Sequence, residues 1–565
     1  MIRRFVINFE EEIMKDYRSN AYIDAARMTM WRLAGYNMDD LKKPKIAIVN
    51  SSSNLAVCYS HLDDIAKFVA KEIYKSGGIS FEVRTVAPVD FLYTGHGGGY
   101  IQSSRDLITN EIESMVEGAM LDGIICLASC DKTLPGQLMA GARLNLPTII
   151  VPCGYQPCGI YNGKHFDIDD LYLAMGHYAM GKYTDDEIKA MSEVAVTGPG
   201  VCQGIGTANT MHIACEALGF ALPGSTPVLA NSPKMWTDVA AACKRIVEMV
   251  DQDIKSRDLL TSEAFENAVK TVLSVSGSTN SMKHLQAVAI EAQKDINVFE
   301  MFDRFADEIP LLVGIRPNGK HFIADMEEAG GTAAVMKQLG SKLNQNVVTV
   351  SGKTLEENLA DVVVIDEEVI RTVDNAFNYR PGMVLVKGNI AQNFGVIKLQ
   401  VDDEYKPNYF KGPAKVFNDL VVCEEAIRDG KIEKGDVVVI AGLGLTGTPG
   451  MGSPGKLIFA LDAVGLGSNV AVITDGHASG LVNMALLVVD VTPEAAVGGQ
   501  IGLLRDGDII EIDALGRKIH AEVSDEEFDE RRKTAPSWYN IPDQGWLKIY
   551  AENVRPINEG AILVR

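Results

Sequence analysis

The feature that most restricts the fold of this chain is an alternation of strand-like and helix-like patterns that begins near residue 45. Four apolar runs, KIAIVN, ISFEVRTVAP, GIICLA and PTIIVP, have the composition of strands. The amphipathic segment after the first run ends at Gly77-Gly78, and further helices are predicted from about Ser104 to Met120 and from about Pro135. Repeated βαβ units of this kind predict a parallel sheet with helices on both faces.

The pattern changes after about residue 376, where the sequence NAFNYRPGMV interrupts it. The later runs VVVIAG, NVAVITDG, ALLVVDV, GQIGLL, DIIEIDA and KIHAEV predict short strands joined by tight turns, and SDEEFDERRK predicts an exposed helix. A length of 565 residues exceeds one ordinary core. We therefore predict an α/β protein with a doubly wound parallel-sheet domain over residues 1–375 and a β-barrel-like domain over residues 376–565.

Composition and charge exclude several classes of protein. Hydrophobic residues make up 47% of the chain and charged residues 23%, which excludes a disordered or coiled-coil chain. The formal net charge of −22 argues against nucleic-acid binding, which draws on clustered Lys and Arg. No signal peptide is expected in MIRRFVINFEEEIMKD, and no run is apolar and long enough for a membrane span. We therefore expect a cytoplasmic protein whose nine cysteines are reduced.

Residue types that bind metals follow three consecutive predicted strands. Cys58 comes shortly after the first strand, Asp90 after the second, and Cys130-Asp131-Lys132, within SCDKTLPG, directly after the third. Because ligands bind beyond the carboxyl ends of parallel strands, we expect these side chains to meet at one edge of the sheet. The two carboxylates suit Mg²⁺. Lys132 suits such a site only if it pairs with an acid or is converted to an anion by carbamylation.

A third candidate thiol, Cys202, lies in a glycine-rich loop before an apolar helix pattern. Together with Cys58 and Cys130 it gives three loop thiolates, which can hold an iron–sulfur cluster while one iron stays open to substrate as a Lewis acid. Cys153 and Cys158, in PCGYQPCG, form a competing pair whose spacing does not match a zinc knuckle. The cysteines expected to be buried structural thiols are Cys126, Cys215 and Cys243.

Two segments of the second domain offer further chemistry. In GTPGMGSPGKL, residues 450–456 nearly match a nucleotide-binding P-loop, but Leu457 stands where the pattern needs a hydroxyl. In VITDGHASG, Ser479 is typical of a hydrogen-bonding turn and could act as a base only if a metal or cation lowered its pKa. His477 is an alternative acid or base.

Taken together, these motifs resemble the dihydroxy-acid and sugar-acid dehydratase family, the IlvD/Edd family. The resemblance implies an N-terminal α/β domain with an iron–sulfur cluster, a C-terminal β-barrel domain, and a homodimer or dimer of dimers with the active site between domains. The segments that carry it span nearly the whole chain: SSSNLAVCYSHL, CDKTLPGQLMA, GVCQGIGTANTM, EALGFALPGS, SGSTNSMKHL, GPAKVF, GDVVVIAG, ITDGHASG and TPEAAVGGQIGLLRDGD.

The resemblance also implies a role for individual residues, taken by position. It implies a cluster, 2Fe-2S or 4Fe-4S, and a Mg²⁺ ion that holds a hydroxy-acid substrate. The cluster ligands are Cys58, Cys130 and Cys202, the magnesium ligands are Asp90, Asp131 and a carbamylated Lys132, the base at substrate C2 is Ser479, and the expected substrate contacts are Thr133, His477, Gly480 and Ser453.

The chain departs from the family pattern in three places. The family usually has PGMPE where this chain reads PGMGS, so Ser453 replaces the glutamate that completes the magnesium shell. His477 replaces the usual arginine of DGRFSG, and LVNMALL after Gly480 lacks the usual GT. Losing an acidic ligand weakens a site for a hard cation. The substrate is therefore unusual, another acid completes the site, or the activity has changed.

We predict a cluster-dependent hydro-lyase that converts a 2,3-dihydroxy carboxylic acid to a 2-keto acid. The segments GIGTANTM and GPAKVF favour a branched-chain dihydroxy acid over an aldonic or sugar acid, which is the alternative substrate. Two alternatives of other classes stay open: a non-catalytic or redox-sensing iron–sulfur protein that has lost the second metal, and a nucleotide-binding protein.

Overall fold

The computed structural model describes residues 21–93, 98–399, 407–482 and 484–563. The segment MIRRFVINFEEEIMKD, in which no signal peptide is expected, lies outside the described residues. The strands are β1 (Lys45–Asn50), β2 (Ile79–Arg84), β3 (Gly123–Ala128), β4 (Thr148–Pro152), β5 (Gly159–Tyr161), β6 (Lys164–Phe166), β7 (Met383–Val386), β8 (Phe394–Lys398), β9 (Tyr409–Phe417), β10 (Val437–Ile440), β11 (Ala471–Thr474), β12 (Leu486–Thr492), β13 (Ile509–Asp513) and β14 (Lys518–Ala521).

The α-helices surround the N-terminal sheet and cover parts of the second one. They are α1 (Ala21–Trp31), α2 (Leu62–Lys75), α3 (Asp90–Tyr93), α4 (Gly99–Ala119), α5 (Thr133–Leu144), α6 (Ile168–Ala179), α7 (Asp185–Val194), α8 (Thr207–Ala217), α9 (Pro233–Asp251), α10 (Ser256–Leu259), α11 (Ser262–Ser274), α12 (Asn280–Glu291), α13 (Val298–Phe305), α14 (Ile323–Glu328), α15 (Gly331–Leu339), α16 (Leu355–Leu359), α17 (Leu420–Arg428), α18 (Gly455–Ala463), α19 (Asp525–Arg532) and α20 (Trp546–Asn553).

The N-terminal sheet is parallel throughout, with the strand order β2-β1-β3-β4. Helices α2 and α9 pack on these strands as one pair, and α4 and α5 pack on them as another, so both faces are covered. This explains why every residue of the run GIICLA is buried. The predicted doubly wound sheet is confirmed, although α4 begins at Gly99 rather than near Ser104, and α5 begins at Thr133.

The C-terminal sheet has eight strands in the order β14-β13-β9-β10-β11-β12-β8-β7. An isolated bridge between Lys387, directly after β7, and Lys518 on β14 brings the two ends of the sheet together, so the sheet is nearly closed and the predicted barrel-like domain is confirmed. The run GQIGLL was predicted as a strand and this was wrong, because Gln500–Leu503 forms a 3₁₀ helix. Its residues cover the barrel instead of extending it, since Ile501 packs in the barrel core.

The expectation of an exposed helix in the second domain needs correction. SDEEFDERRK does form a helix, α19, but the helix is not wholly exposed. Phe528 is buried in the barrel core. The guanidinium of Arg531 donates two hydrogen bonds to the Asp508 carboxylate, which hold Arg531 against the barrel. The domain boundary after residue 375 stays a prediction. Just beyond it, Phe377 donates a backbone hydrogen bond to Leu311 of the N-terminal part.

The two parts of the chain share buried contacts. Lys283 on α12 forms a fully buried ion pair with Asp490 on β12, with N–O distances of 2.9 and 3.0 Å. Near the end of the chain, the Ala561 carbonyl accepts a hydrogen bond of 2.6 Å from Arg105 on α4. These contacts join the N-terminal part of the chain to the C-terminal part through charged and polar groups. Among the described helices, none has the length and apolar character needed to span a membrane.

Candidate active site

The site lies between the carboxyl ends of two sets of parallel strands. Cys58, Asp90 and Cys130 follow β1, β2 and β3, while Ser453 and Ser479 follow β10 and β11. The two edges enclose a cavity of about 890 Å³. The predicted site residues on its wall are Cys58, Asp90, Cys130, Asp131, Cys202, Ser453, His477 and Ser479. Residues separated by more than 400 positions therefore share one cavity.

The turn between β3 and α5 explains the arrangement of SCDKTLPG. The Thr133 hydroxyl donates to the Cys130 carbonyl at 2.8 Å and accepts from the Ser129 N–H at 3.2 Å. This closed turn places Cys130 and Asp131 on the cavity wall and buries Lys132. Thr133 is not among the described residues on the wall, and its hydroxyl is already engaged. Its contact with substrate stays a prediction.

The thiols of Cys58 and Cys130 lie within hydrogen-bonding contact of each other. Cys58 sits in a 3₁₀ turn after β1, and the Ser129 hydroxyl donates to its carbonyl, which ties the first loop to the third. The contact with Cys58, followed by burial, raises the pKa of Cys130 well above its ordinary value. Two thiolates cannot coexist here without a compensating cation, so this pair fits a bound metal group.

Cys202 approaches the same cavity from the loop before α8. The Asn209 side chain donates to the carbonyls of Cys202 and Gly204, at 2.7 and 2.8 Å, and so holds the loop in place. Gly200 has a φ of 117°, which accounts for a glycine at that position. Burial, followed by the nearby charge of Asp169, raises the pKa of Cys202 well above its ordinary value.

The two acids predicted as site residues, Asp90 and Asp131, form a second group of side chains in the cavity. Asp90 and Asp131 are in side-chain hydrogen-bonding contact, and burial, followed by the charge of Asp131, raises the pKa of Asp90 well above its ordinary value. Within the described ranges, no three His, Cys, Asp or Glu side chains are grouped closely enough to hold a single ion.

Behind the acids, Lys132 belongs to a buried row of nitrogen groups. Its Nζ lies 3.3 Å from His284 Nε2 and 3.8 Å from Asp131 Oδ2. Arg105 donates through Nη1 to His284 Nδ1 at 3.4 Å. Burial, followed by the charges of Lys132 and Arg105, holds the pKa of His284 well below its ordinary value, so the ring is neutral.

The turn after β11 carries the residues predicted from the second domain. His477 is buried on the cavity wall and contacts the side chain of Asn280, while Ser479 is half-buried and its Oγ accepts from the Leu481 N–H at 3.4 Å. Gly480 is not among the described residues on the wall. A side chain there would meet the Ile205 carbonyl, so the glycine serves close packing, and its contact with substrate stays a prediction.

The P-loop-like segment has a structural explanation other than nucleotide binding. Residues 450–456 connect β10 to α18, as a P-loop would. Gly450, with a φ of 83°, packs directly against the backbone of Gly99, so its missing side chain allows two chain segments to approach. Ser453 and Lys456 are both exposed and lie on the cavity wall.

The remaining cysteines are placed apart from the described cavity wall. Cys153 is buried and Cys158 is half-buried, and burial raises the pKa of both thiols. Cys126, Cys215 and Cys243 are buried, as expected for structural thiols. Sequence reasoning missed four residues of the site: Arg105, Asp169, Asn280 and His284. The only available signal was the motif SGSTNSMKHL, which contains the last-mentioned two without indicating what they contact.

Comparison with known proteins identifies the family to which both parts of the chain belong. The model described as dihydroxy-acid/6-phosphogluconate dehydratase N-terminal matches residues 43–358, and its C-terminal counterpart matches residues 368–561. The chain belongs to this family. It is similar to the dihydroxy-acid dehydratase of Methanococcus aeolicus, with 36% identity over 95% of this chain and 98% of that one. The dihydroxy-acid dehydratases of Acetivibrio thermocellus and Pyrococcus furiosus are 38% identical over 95% of this chain and 97% and 98% of theirs.

Membership of this family makes the chain a hydro-lyase, an enzyme that removes water from its substrate. The family resemblance and the enzyme class predicted from sequence are both confirmed. The match extends over both the N-terminal sheet and the barrel, so it includes both edges of the cavity.

Proposed function

We propose that this protein dehydrates a 2,3-dihydroxy carboxylic acid to a 2-keto acid with an iron–sulfur cluster and Mg²⁺. The observation that carries the proposal is the single cavity shared by three thiols, two contacting carboxylates and Ser479. The curated relatives named dihydroxy-acid dehydratase support the same reaction. The cluster ligands would be Cys58, Cys130 and Cys202, and the magnesium ligands Asp90, Asp131 and Lys132.

The donor set fits both groups. Soft thiolates select iron–sulfur clusters and hard carboxylates select Mg²⁺. Burial, followed by nearby acids, raises the pKa values of Cys202 and Asp90, and the contact with Cys58, followed by burial, raises the pKa of Cys130. Bound cations would favour the ionised form of all three groups. When bound, the cluster would supply a Lewis acid for the departing 3-hydroxyl, and Mg²⁺ would supply a positive charge that holds the substrate carboxylate and 2-hydroxyl.

The role proposed for Ser479 is removal of the proton from substrate C2. The electron pair of the C2–H bond then forms the C2–C3 double bond while the bond from C3 to its hydroxyl breaks. The product is an enol, which becomes the 2-keto acid by proton transfer to C3. Ser479 follows a strand of the C-terminal sheet, whereas Asp90 and Asp131 follow strands of the N-terminal sheet, and all three lie on the cavity wall. The substrate would therefore lie between the two sheets.

Carbamylation of Lys132 has support from its neighbours. Arginine can only donate, so His284 accepts at Nδ1 and, being neutral, carries its single proton on Nε2. That proton points at Lys132, 3.3 Å away. An ammonium group has no acceptor. A carbamate oxygen would accept this hydrogen bond and would also provide the third oxygen ligand to the cation.

The wall near Ser479 favours a substrate with an apolar tail. Leu443, Met451, Leu457, Leu481 and Val482 all lie on the wall. Among its described residues, Lys456 is the only lysine and arginine is absent. An aldonic acid presents a hydroxyl on each carbon and needs polar partners for them. A branched-chain dihydroxy acid is therefore the proposed substrate, and a sugar acid is the alternative.

A homodimer is proposed from the surface around the cavity mouth. Leu55, Leu92, Tyr100 and Val421 lie on the cavity wall and are 46–65% exposed. Large exposed apolar groups this close together are typical of interaction surfaces. A dimer or dimer of dimers is expected in analytical ultracentrifugation, and a monomer at micromolar concentration would contradict it. The predicted cytoplasmic location stays a prediction.

A substrate panel tests the proposed reaction. Protein purified and reconstituted without oxygen is incubated with branched-chain dihydroxy acids and with aldonic acids, and 2-keto acid is measured. We expect turnover of the branched-chain compounds that is lost in Ser479→Ala. Cluster-loaded protein that converts no dihydroxy or sugar acid would instead identify the non-catalytic, redox-sensing alternative.

A further inference from the structure

His477 is held in one orientation by Asn280. The His477 Nδ1 lies 3.3 Å from Asn280 Oδ1. The Asn280 amide nitrogen donates to Thr207 Oγ1 at 3.0 Å and to the Ala478 carbonyl at 3.4 Å. Both amide hydrogens are thus used, so the amide oxygen faces the imidazole. His477 must donate from Nδ1, because an amide oxygen can only accept.

This hydrogen bond fixes the tautomer of His477. A neutral imidazole carries one N–H, so a ring that donates from Nδ1 has an unprotonated Nε2 with an available lone pair. The ring is neutral because burial, followed by the charges of Lys283 and Lys132, holds the pKa of His477 well below its ordinary value. His477 therefore presents a proton acceptor on the wall of the cavity that Ser479 also lines.

The charged groups around this turn are otherwise engaged. Lys283 on α12 is paired with Asp490 on β12, and His284 lies between Arg105 and Lys132. Lys398 on β8 donates to the Gly480 carbonyl at 2.8 Å. Each of these groups has a stated partner, whereas the tautomer of His477 leaves a lone pair on Nε2.

Ser479 needs such a base. A serine hydroxyl is a weak nucleophile and base until a neighbouring group takes its proton. Ser479 lies two residues after His477 in the same turn, and its Oγ already accepts from Leu481, which leaves its own proton to donate. The imidazole of His477 and the amide of Asn280 match the base and the orienting group of such an arrangement, and Ser479 lines the same cavity.

We propose that His477 Nε2 is the proton acceptor for Ser479 during dehydration, with Asn280 as its positioning residue. This inference rests on the proposed function. As the C2–H bond breaks, its proton passes to Ser479 Oγ and the hydroxyl proton of Ser479 passes to His477 Nε2. The bond between C3 and its hydroxyl breaks at the same time, and the imidazolium returns its proton to the departing hydroxide. The net change is loss of one water, and both side chains are restored.

The relay distinguishes this chain from the usual family pattern. The resemblance places an arginine at this position, and an arginine cannot accept a proton at the pH of catalysis. Proton removal by Ser479 would then depend on nearby positive charge alone. In this chain the change to histidine supplies a base of its own.

The first experiment compares kcat, iron content and isotope effects in reconstituted holoenzyme. In His477→Gln, kcat is expected to fall about 100-fold, as for the loss of a general base, with the iron content unchanged. The isotope effect of substrate deuterated at C2 is expected to rise. The double variant His477→Gln/Ser479→Ala should be no slower than the slower single variant, because the two residues act as one unit. His520→Gln, at an exposed position on β14, is the matched control and should keep wild-type kcat.

The second experiment reads the tautomer without any turnover. Full-length protein with ¹⁵N-labelled histidine is examined by NMR, and the His477 signals are assigned by their loss in His477→Gln. We expect an Nδ1–H tautomer in the wild type, and its loss in Asn280→Ala. An Nε2–H tautomer in the wild type would overturn the proposal, even if the Gln variant folds poorly.

The outcomes separate this inference from the proposed function. Active wild type, together with a His477→Gln variant that keeps its iron and retains kcat within about threefold, would overturn the relay and leave the dehydratase reaction intact. Wild type that loads its cluster yet yields no keto acid from any dihydroxy or sugar acid would overturn both. A fall in kcat with an unchanged isotope effect would also contradict the relay, because proton transfer would not be the step affected.

Discussion

The two edges that enclose the cavity differ in how closely they follow the family pattern. The N-terminal edge supplies Cys58, Asp90 and Cys130, all of which match the positions that the family resemblance predicts. The C-terminal edge keeps Ser479 but has Ser453 and His477 where a glutamate and an arginine are usual. The difference teaches that the half of the site proposed to bind metal can keep the family pattern while the half proposed to handle protons and substrate departs from it.

The electrostatics of the two edges follow this division. On the N-terminal edge, the contact with Cys58 followed by burial raises the pKa of Cys130, and burial followed by the charge of Asp131 raises the pKa of Asp90. On the C-terminal edge, burial followed by positive neighbours lowers the pKa of His477. One edge is thus suited to cations and the other to neutral proton acceptors. Four further changes to the chain would break or sharpen this comparison.

The largest effect is expected from Cys130→Ser, which breaks the metal-binding edge. A ligand to the cluster is lost, so iron, sulfide and the visible absorption should all fall, and turnover should fall by more than the ~10–100-fold typical of outer-shell changes. Cys158→Ser is the control, since Cys158 is half-buried and apart from the described wall. Equal iron content in Cys130→Ser and wild type would remove Cys130 from the ligand set.

The next effect concerns the ion pair that joins the two edges. Lys283→Met leaves Asp490 buried without its partner, which should lower the free energy of unfolding by about 3–5 kcal/mol. Lys234→Met, which breaks a partly exposed pair with Asp238, should cost under ~1 kcal/mol. Denaturant unfolding of both variants gives the comparison. Adding Asp490→Asn to Lys283→Met should recover most of the loss, and a loss that persists would locate the effect elsewhere.

A pH-dependent effect is expected from Glu494, which supports the loop before Ser453. Its carboxylate accepts from the Thr446 N–H at 2.9 and 3.2 Å, and burial raises its pKa to about 7 from an ordinary value of 4.5. Because the folded state binds this proton more tightly, the stabilisation is present below pH 4.5 and is lost as the pH rises through about 7.

Glu494→Gln should therefore reduce the fall in thermal stability between pH 5 and pH 7.5, by up to ~3 kcal/mol. The exposed Glu356→Gln serves as the matched control. Unfolding temperatures at both pH values provide the measurement. If the Gln variant shows the same pH dependence as wild type, another buried acid is responsible, and Glu216, whose pKa burial also raises to about 7, is the first to examine.

The smallest effect is expected from Ser453→Glu, which makes the C-terminal edge more like the family pattern. An added carboxylate on the cavity wall should tighten Mg²⁺ binding about tenfold, or ~1.4 kcal/mol. Titration calorimetry with Mg²⁺ measures it, and Ser453→Gln is the neutral control of equal size. Equal Mg²⁺ affinity in the Glu and Gln variants would show that position 453 does not face the cation.

Local patterns were sufficient to predict most of the fold. The apolar runs of the N-terminal sheet and the stop at Gly77-Gly78 are properties of short segments, so β1 to β4 and α2 follow from them. The prediction of a strand at GQIGLL was wrong because its apolar side chains can pack against the barrel from a 3₁₀ helix as well as from a strand. Phe528 was missed because a single aromatic residue in a charged helix gives little periodic signal.

The candidate site was predictable only in part, for a physical reason. Cys58 and Cys130 were found because a thiol in a loop after a buried strand is unusual in sequence alone. Asn280 and His284 were missed because their roles depend on contacts with His477 and Lys132, which are 197 and 152 positions away in the sequence. No local pattern specifies such pairs, and only the closure of the two sheets brings them together.

The hydrogen bond from Arg105 to the Ala561 carbonyl has a consequence for how the protein is made. Arg105 orients His284, and His284 in turn meets Lys132, so this side of the site depends on a residue near the end of the described chain. A nascent chain still on the ribosome has the thiols of the first domain long before Ala561 emerges. Cys58, Cys130 and Cys202 are therefore synthesised well before the lysine pocket can form, because that pocket is complete only after Ala561 has been made and has folded against α4.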